Sequence, residues 1–125
     1  MQAPLVPTSW GELIDKLTIL EIKAVRITAP AARANVEKEL ALLAAAAAPV
    51  LADDIAELKS ALRVVNETLW DIEDAIRDSE KAGDFGPDFI ALARSVYKQN
   101  DARAELKRSI NTALGSELKE EKSYR

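Results

Sequence analysis

Apolar residues recur along the chain at the three- and four-residue spacings of amphipathic α-helices. The clearest series lies between residues 53 and 82, where the two spacings alternate through Ile55, Leu58, Leu62, Val65, Leu69, Ile72 and Ile76. Such a narrow apolar seam is typical of helices that pack side by side in a bundle. The apolar positions near the N-terminus cover a wider arc of the helix, so we expect that helix to contact neighbours on two sides.

Capping residues, prolines and glycines divide this pattern into four helices. Ser9 and Glu12 form a capping box, and Pro30 suits the first turn of the second helix. Gly83 and Gly115 each follow a long periodic segment, as helix-terminating glycines do. The predicted helices span about 9–28, 30–48, 53–82 and 86–114, followed by a tail at 115–125. We expect this tail either to pack back on the bundle, anchored by Tyr124, or to be disordered.

The short connections between these helices predict an all-α fold, an up-down-up-down four-helix bundle in one domain covering residues 1–125. The third and fourth helices form a long hairpin that should extend beyond the first two by roughly 15 Å. An apolar patch of this size is seldom left in water, and a two-fold related copy would cover it. We therefore expect a homodimer, with a bent helix or the tail as the alternative cover for Ile72, Ile76, Phe89 and Leu92.

The composition removes most catalytic chemistry. The 125 residues include no histidine, no cysteine and only four glycines. No imidazole or thiolate is therefore present for nucleophilic catalysis or zinc binding, and glycine-rich phosphate loops cannot be formed. From the residues alone we predict no catalytic residue, no metal ion and no cofactor.

Charge and hydropathy limit the possible partners. The chain has a net charge of −4, which argues against nucleic acid as a partner. Its longest apolar run, residues 40–52, contains Pro49 and is too short to span a membrane, and the N-terminus lacks the pattern of a signal peptide. We expect a cytoplasmic bacterial protein. Acidic residues concentrate in 50–85 and basic residues in 86–125, which favours ion pairs between the third and fourth helices.

Polar residues interrupt the apolar faces at one level of the predicted bundle. On the fourth helix the core-facing line passes through Asn100, Arg103 and Lys107, and on the first helix Glu21 lies within the apolar arc. On the third helix a polar line flanks the seam and contains Asn66, Glu73 and Arg77. The antiparallel register predicts a layer that contains Glu21, Asn66 and Arg103.

Two interpretations of this polar layer remain open. The groups could satisfy one another and fix the packing register of the helices. Alternatively, Arg103 and Lys107 could hold a small anionic ligand that Glu21 and Asn66 orient. Two cations facing one or two acids leave room for an anion, although the spacing does not require one.

Two pairs of carboxylates have the spacing of a known metal-binding element. Glu12 and Asp15, and likewise Asp71 and Asp74, resemble the elements by which all-α nucleotide pyrophosphohydrolases hold magnesium. Helical wheels place Asp15, Asp71 and Asp74 on the solvent side. We therefore interpret these pairs as solvated surface and predict no metal site there.

Blocks spread over almost the whole chain form a characteristic set: ELIDKLTILEIK at 12–23, LWDIEDAIR at 69–77, DFG at 84–86, FIALARSVY at 89–97, NDARA at 100–104 and GSELKEEKSY at 115–124. As a set they resemble the signature blocks of a family of short, all-helical bacterial and phage proteins of unknown function. That resemblance implies no activity. The architecture also resembles that of the all-helical chorismate mutases, although their Arg- and Leu-rich first-helix opening is absent. This likeness implies a dicarboxylate site, in which Arg103, Lys107 and Glu21 could take part.

The sequence therefore favours a non-enzymatic interaction or assembly module that acts as a homodimer. The alternative is a small-anion-binding enzyme or sensor that uses the buried Arg/Lys/Glu layer, with chorismate-mutase-like chemistry as one version. In that version catalysis would be electrostatic, with no covalent step.

Overall fold

A computed structural model describes residues 1–123, except for the side chain of Asp53. This part of the chain is all α and contains no β-strand. Helix α4 is followed by a tail without regular secondary structure, and Tyr124, the predicted tail anchor, lies outside the described residues. The helices are α1 (Trp10–Arg26), α2 (Pro30–Ala47), α3 (Asp53–Ala82) and α4 (Pro87–Leu114), with one 3₁₀ turn at Ala48–Val50.

The capping and terminating residues predicted from the sequence act as expected at most helix ends. The Ser9 hydroxyl accepts a hydrogen bond from the backbone N–H of Glu12 at 3.1 Å, which caps α1. Gly83 and Gly115 adopt the left-handed conformation, with φ of 66° and 60°, and end α3 and α4. A left-handed residue costs little when it is glycine, so both stops are encoded locally.

The start of α1 is bound to the end of α4. The first backbone N–H groups of a helix have no partner within the helix and need acceptors from elsewhere. Trp10 donates its backbone N–H to the Ser116 hydroxyl at 3.3 Å, and Gly11 donates to the Asn111 side-chain oxygen at 2.6 Å. The last turn of α4 and the segment that follows it therefore complete the N-terminal cap of α1.

Helix α1 is the centre of the bundle. It packs on α2, α3 and α4, whereas α2 packs chiefly on α1 and α3 pairs with α4. The expectation that α1 contacts neighbours on more than one side is confirmed. Its buried residues join those of the other helices in one core made of Ile14, Leu17, Ala47, Ile55, Leu62 and Ile110.

The ion pairs between helices are also centred on α1. Within residues 1–123, every ion pair between two helices includes a residue of α1, and none joins α3 to α4. The predicted charge complementarity between the third and fourth helices is therefore wrong. Packing holds that hairpin together, and the acidic surface of α3 is left largely without basic partners from α4.

The long hairpin extends past α1, as its length predicts. Arg26, the last residue of α1, binds Asp71 at 2.5 Å, so residues 72–82 of α3 lie beyond the end of α1. Phe85 lies in the turn of this hairpin and contacts Phe89 edge to face, with 5.3 Å between the ring centroids.

Among the described helices, none has the length and apolar content that a membrane span requires.

Candidate functional site

Among the described residues, the most buried charged residue is Asp15, on α1. Its side chain is 1% exposed, and the Arg103 guanidinium of α4 binds both of its carboxylate oxygens. The Nε–H of Arg103 donates to Oδ1 at 2.9 Å, and Nη2 donates to Oδ2. The hydrogen bond to Asp15 raises the pKa of Arg103 above its usual value, against the opposing effect of burial. A bidentate contact of this kind fixes both side chains.

Helix α3 supplies the third member of the cluster. The Asn66 side-chain amide donates to Asp15 Oδ1 and to the Thr18 hydroxyl, both at 2.9 Å. Thr18 in turn donates to the backbone oxygen of Asp15 at 2.7 Å. No side-chain nitrogen or oxygen that is buried in the described part of the chain lacks a hydrogen-bond partner. Asp15, Thr18, Asn66 and Arg103 are hereafter called the polar cluster.

The predicted layer therefore exists, but its acid is a different residue. Asn66 and Arg103 share the layer as expected, whereas the expectation that Glu21 joins them is wrong, as is the solvent-side position given to Asp15. Glu21 lies roughly 120° around α1 from Asp15. It accepts hydrogen bonds from Lys59 of α3 at 3.0 and 3.1 Å, with Arg63 at 3.9 Å. The burial of α1 on two sides brings the second face of this helix, and Asp15 with it, into the core.

The sequence does contain a pattern that indicates the burial of Asp15. Asp15, Thr18 and Ile22 are spaced by three and four residues, the same helical period that marks the core. All three are buried. Because the side chains at the first two positions are polar, the apolar pattern did not indicate that this second face of α1 is buried.

Lys107 is buried between two carboxylates rather than directed toward the polar cluster. Its ammonium lies 2.7 Å from Glu12 of α1 and 2.6 Å from Glu120 of the tail. Burial alone would lower the pKa of Lys107, but the hydrogen bonds to both glutamates outweigh burial and the pKa is raised. The same contact lowers the pKa of Glu120. The tail therefore packs back on the bundle as far as this ion pair.

The remaining predicted residues lie near the surface. Glu73 and Arg77 are exposed and form an ion pair within α3 at 3.3 Å. Asn100 lies one turn before Arg103 on α4 and faces an open groove. The structure does not bring Arg103, Lys107 and Glu21 together around one ligand, because each is bound to different charged partners. Residues 1–123 also contain no group of three or more carboxylates placed to hold a metal ion.

The open groove beside the polar cluster is lined by residues of α1, α3 and α4. Its volume is about 390 Å³. Its apolar lining, here called the floor, consists of Ile19, Ile22, Leu69 and Trp70. Its polar lining, here called the rim, consists of Lys23, Asn66, Glu73, Asn100 and Arg103. Clefts of this size, mostly apolar with a few converging polar groups, are the usual form of small-molecule sites. The sequence singled out most of this rim, but Lys23 was missed because a lysine beside an apolar arc has no distinguishing pattern.

The chain belongs to DUF6165, a family of unknown function, and the match covers residues 5–125. The expected whole-chain resemblance to a family of unknown function is thereby confirmed. No curated protein and no solved structure matches the chain.

Proposed function

We propose that this protein is an interaction module that forms a homodimer through the projecting end of its α3/α4 hairpin. The predicted patch itself is not exposed, because Ile72 is buried and Ile76, Phe89 and Leu92 are half-buried. The observation that carries the proposal is other apolar surface at the same end. Ile90 and Tyr97 are each 55% exposed and Phe85 is 53% exposed. Ile90, Ala93 and Tyr97 are spaced by three and four residues, so they form one stripe along α4. We call Phe85, Ile90, Ala93 and Tyr97 the hairpin stripe.

The position of the hairpin stripe supports its use by a second copy. It lies on the part of the hairpin that extends past the end of α1, where no other helix of the same chain covers it. A contiguous apolar surface of this kind is a common sign of a protein interface. A two-fold axis would bury the same stripe on both copies.

Charges beside the stripe favour the same arrangement. Arg94 and Lys98 of α4 form no ion pair with the described residues, and neither does Asp78 of α3. Asp78 lies five residues before the turn at 83–86 and Arg94 eight residues after it, so these two residues are within about 5 Å of the same level of the hairpin. In the packing that we propose, α4 of one copy lies against α3 of the other. Basic and acidic side chains would then face each other across the interface.

Light scattering at micromolar concentration tests the proposal. We expect a mass of twice 13.6 kDa for the unaltered chain. Ile90→Glu should yield the monomer, since its carboxylate would be buried in the apolar interface. Val64→Glu is the matched control, because Val64 is an equally exposed apolar residue of α3 outside the hairpin stripe. A monomeric mass for the unaltered chain, or dissociation by both variants alike, would contradict the proposal.

A further inference from the structure

We infer that the groove between α1, α3 and α4 is a binding site for a small carboxylate that carries an apolar body. This inference does not depend on the proposed dimer, because the groove and the hairpin stripe share no residue. It depends on three features of the groove: a pre-positioned guanidinium, a cation with no acidic partner and an apolar floor.

Arg103 supplies hydrogen-bond donors that its own partner does not use. A guanidinium has five N–H groups, and the two nitrogens bonded to Asp15 use one each. Three N–H groups therefore remain, on a side chain that lines the groove. Because Asp15 already fixes this side chain, little rotamer freedom would be lost when a ligand binds.

Asn100 and Lys23 extend the set of donors. Asn100 lies three residues before Arg103, so the two share a face of α4. Lys23 reaches the groove from α1. Neither Asn100 nor Lys23 makes a side-chain hydrogen bond or ion pair with the described residues. A carboxylate is the group that an arginine fork, an amide and an ammonium would bind together.

The charge balance of the groove favours an anion. Arg103 is offset by Asp15, and Glu73 at the rim is offset by Arg77. Arg26, which stacks on Trp70 with its guanidinium 5.6 Å from the ring centroid, is offset by Asp71. Lys23 is the one charged group of the described lining without a counter-charge, so the lining offers one unpaired cation to an anion.

The apolar floor indicates the chemistry of the part of the ligand that is not the carboxylate. Ile19, Ile22, Leu69 and Trp70 present aliphatic and aromatic surface beside the donors. An inorganic anion would leave this surface in water, whereas a carboxylate with an aryl or branched alkyl body would cover it. The ligand class is therefore an amphipathic monocarboxylate rather than phosphate or sulfate.

Titration with 3-phenylpropionate tests the inference, with Trp70 fluorescence as the readout in a Trp10→Phe background. We expect a saturable change at millimolar concentration. The uncharged 3-phenylpropanamide, which lacks the carboxylate, and acetate, which lacks the apolar body, should both bind at least about tenfold more weakly. The absence of a saturable change with 3-phenylpropionate, or equal binding of the amide, would overturn the inference.

Variants locate the site. Lys23→Gln and Asn100→Ala should each weaken 3-phenylpropionate binding by about tenfold, the loss expected for one hydrogen bond to a charged group. Lys98→Gln is the matched control, because it removes a lysine that does not line the groove. An equal loss in Lys98→Gln, or no loss in Lys23→Gln, would place the binding elsewhere. The monomeric Ile90→Glu variant should bind with unchanged affinity, and a loss there would show that the groove is not complete in one chain.

Discussion

Gly11 and Asn111 hold α1 and α4 so close together that no side chain can be placed at position 11. Asn111 accepts the Gly11 N–H at 2.6 Å, and a Cβ added to Gly11 would lie 2.5 Å from the backbone oxygen of Lys107. The close approach joins the start of α1 to the end of α4. It also places Glu12 within reach of Lys107.

Gly11→Ala should therefore destabilise the protein, although alanine is the better helix former. The obstacle is a backbone oxygen rather than a movable side chain, so we expect a loss of about 2–3 kcal/mol in the free energy of unfolding. Urea denaturation measures it. Gly86→Ala is the matched control, since its Cβ would meet the side chain of Asp84 alone, at 3.3 Å. We expect that control to lose less than about 1 kcal/mol. Equal losses in the two variants would be evidence against the close contact.

Asp15 and Arg103 should be strongly coupled in stability. Removing the charge of Arg103 leaves the fully buried Asp15 without its partner, which typically costs about 3–5 kcal/mol. A double-mutant cycle with Asp15→Asn and Arg103→Gln should therefore show a coupling energy well above about 1 kcal/mol. The cycle of Glu21→Gln with Arg103→Gln is the control and should be additive within about 0.5 kcal/mol. Additivity in the Asp15 cycle would rule out the ion pair seen in the structure.

The ion pair between Glu120 and Lys107 should give the tail a pH-dependent contribution to stability. Because the pKa of Glu120 is lowered in the folded state, its contribution is present above the usual value of 4.5 and is lost as the pH falls through the lower folded value. Glu120 is partly exposed, so Glu120→Gln should cost no more than about 1 kcal/mol at neutral pH. This difference should disappear at acidic pH.

The contribution of Lys107 has the opposite dependence. Its raised pKa means that its contribution is present below the usual value of 10.5 and is lost as the pH rises through the higher folded value. Unfolding curves recorded from acidic to alkaline pH measure both limits. Glu121→Gln is the control for Glu120, because the exposed Glu121 makes no ion pair with the described residues. A Glu120→Gln effect that persists unchanged into acid would disprove the assignment.

Charge reversal tests the orientation of the proposed dimer. Arg94→Glu should place two acidic groups against each other across the interface and weaken association by about tenfold or more. Adding Asp78→Arg to the same chain should restore association, since the acidic residue 94 on α4 of one copy would then face a basic residue 78 on α3 of the other. Analytical ultracentrifugation measures the dimer dissociation constant of both variants. Lys38→Glu, on the exposed face of α2, should have no effect. Failure of Asp78→Arg to restore association would reject this orientation while leaving the dimer itself to the light-scattering test.

The sequence by itself determined the helices and the presence of a polar layer. Ser9, Pro30, Gly83 and Gly115 act on their own backbone or on the adjacent turn, so their effects can be derived without knowledge of the fold. The placement of Asn66 and Arg103 at one level followed from helix length and the antiparallel hairpin. These are local properties, or properties of a single hairpin.

Only the tertiary structure decided which acid enters that layer. A helical wheel gives the angle between Asp15 and Glu21 on α1, but not which side of α1 faces each neighbour. That rotation is set by packing, because α2 covers one side of α1 while α3 and α4 cover another. Asp15 is buried for this reason, and Glu21 binds Lys59 instead. The groove and the ion pair between Glu12 and Lys107 follow from the same rotation.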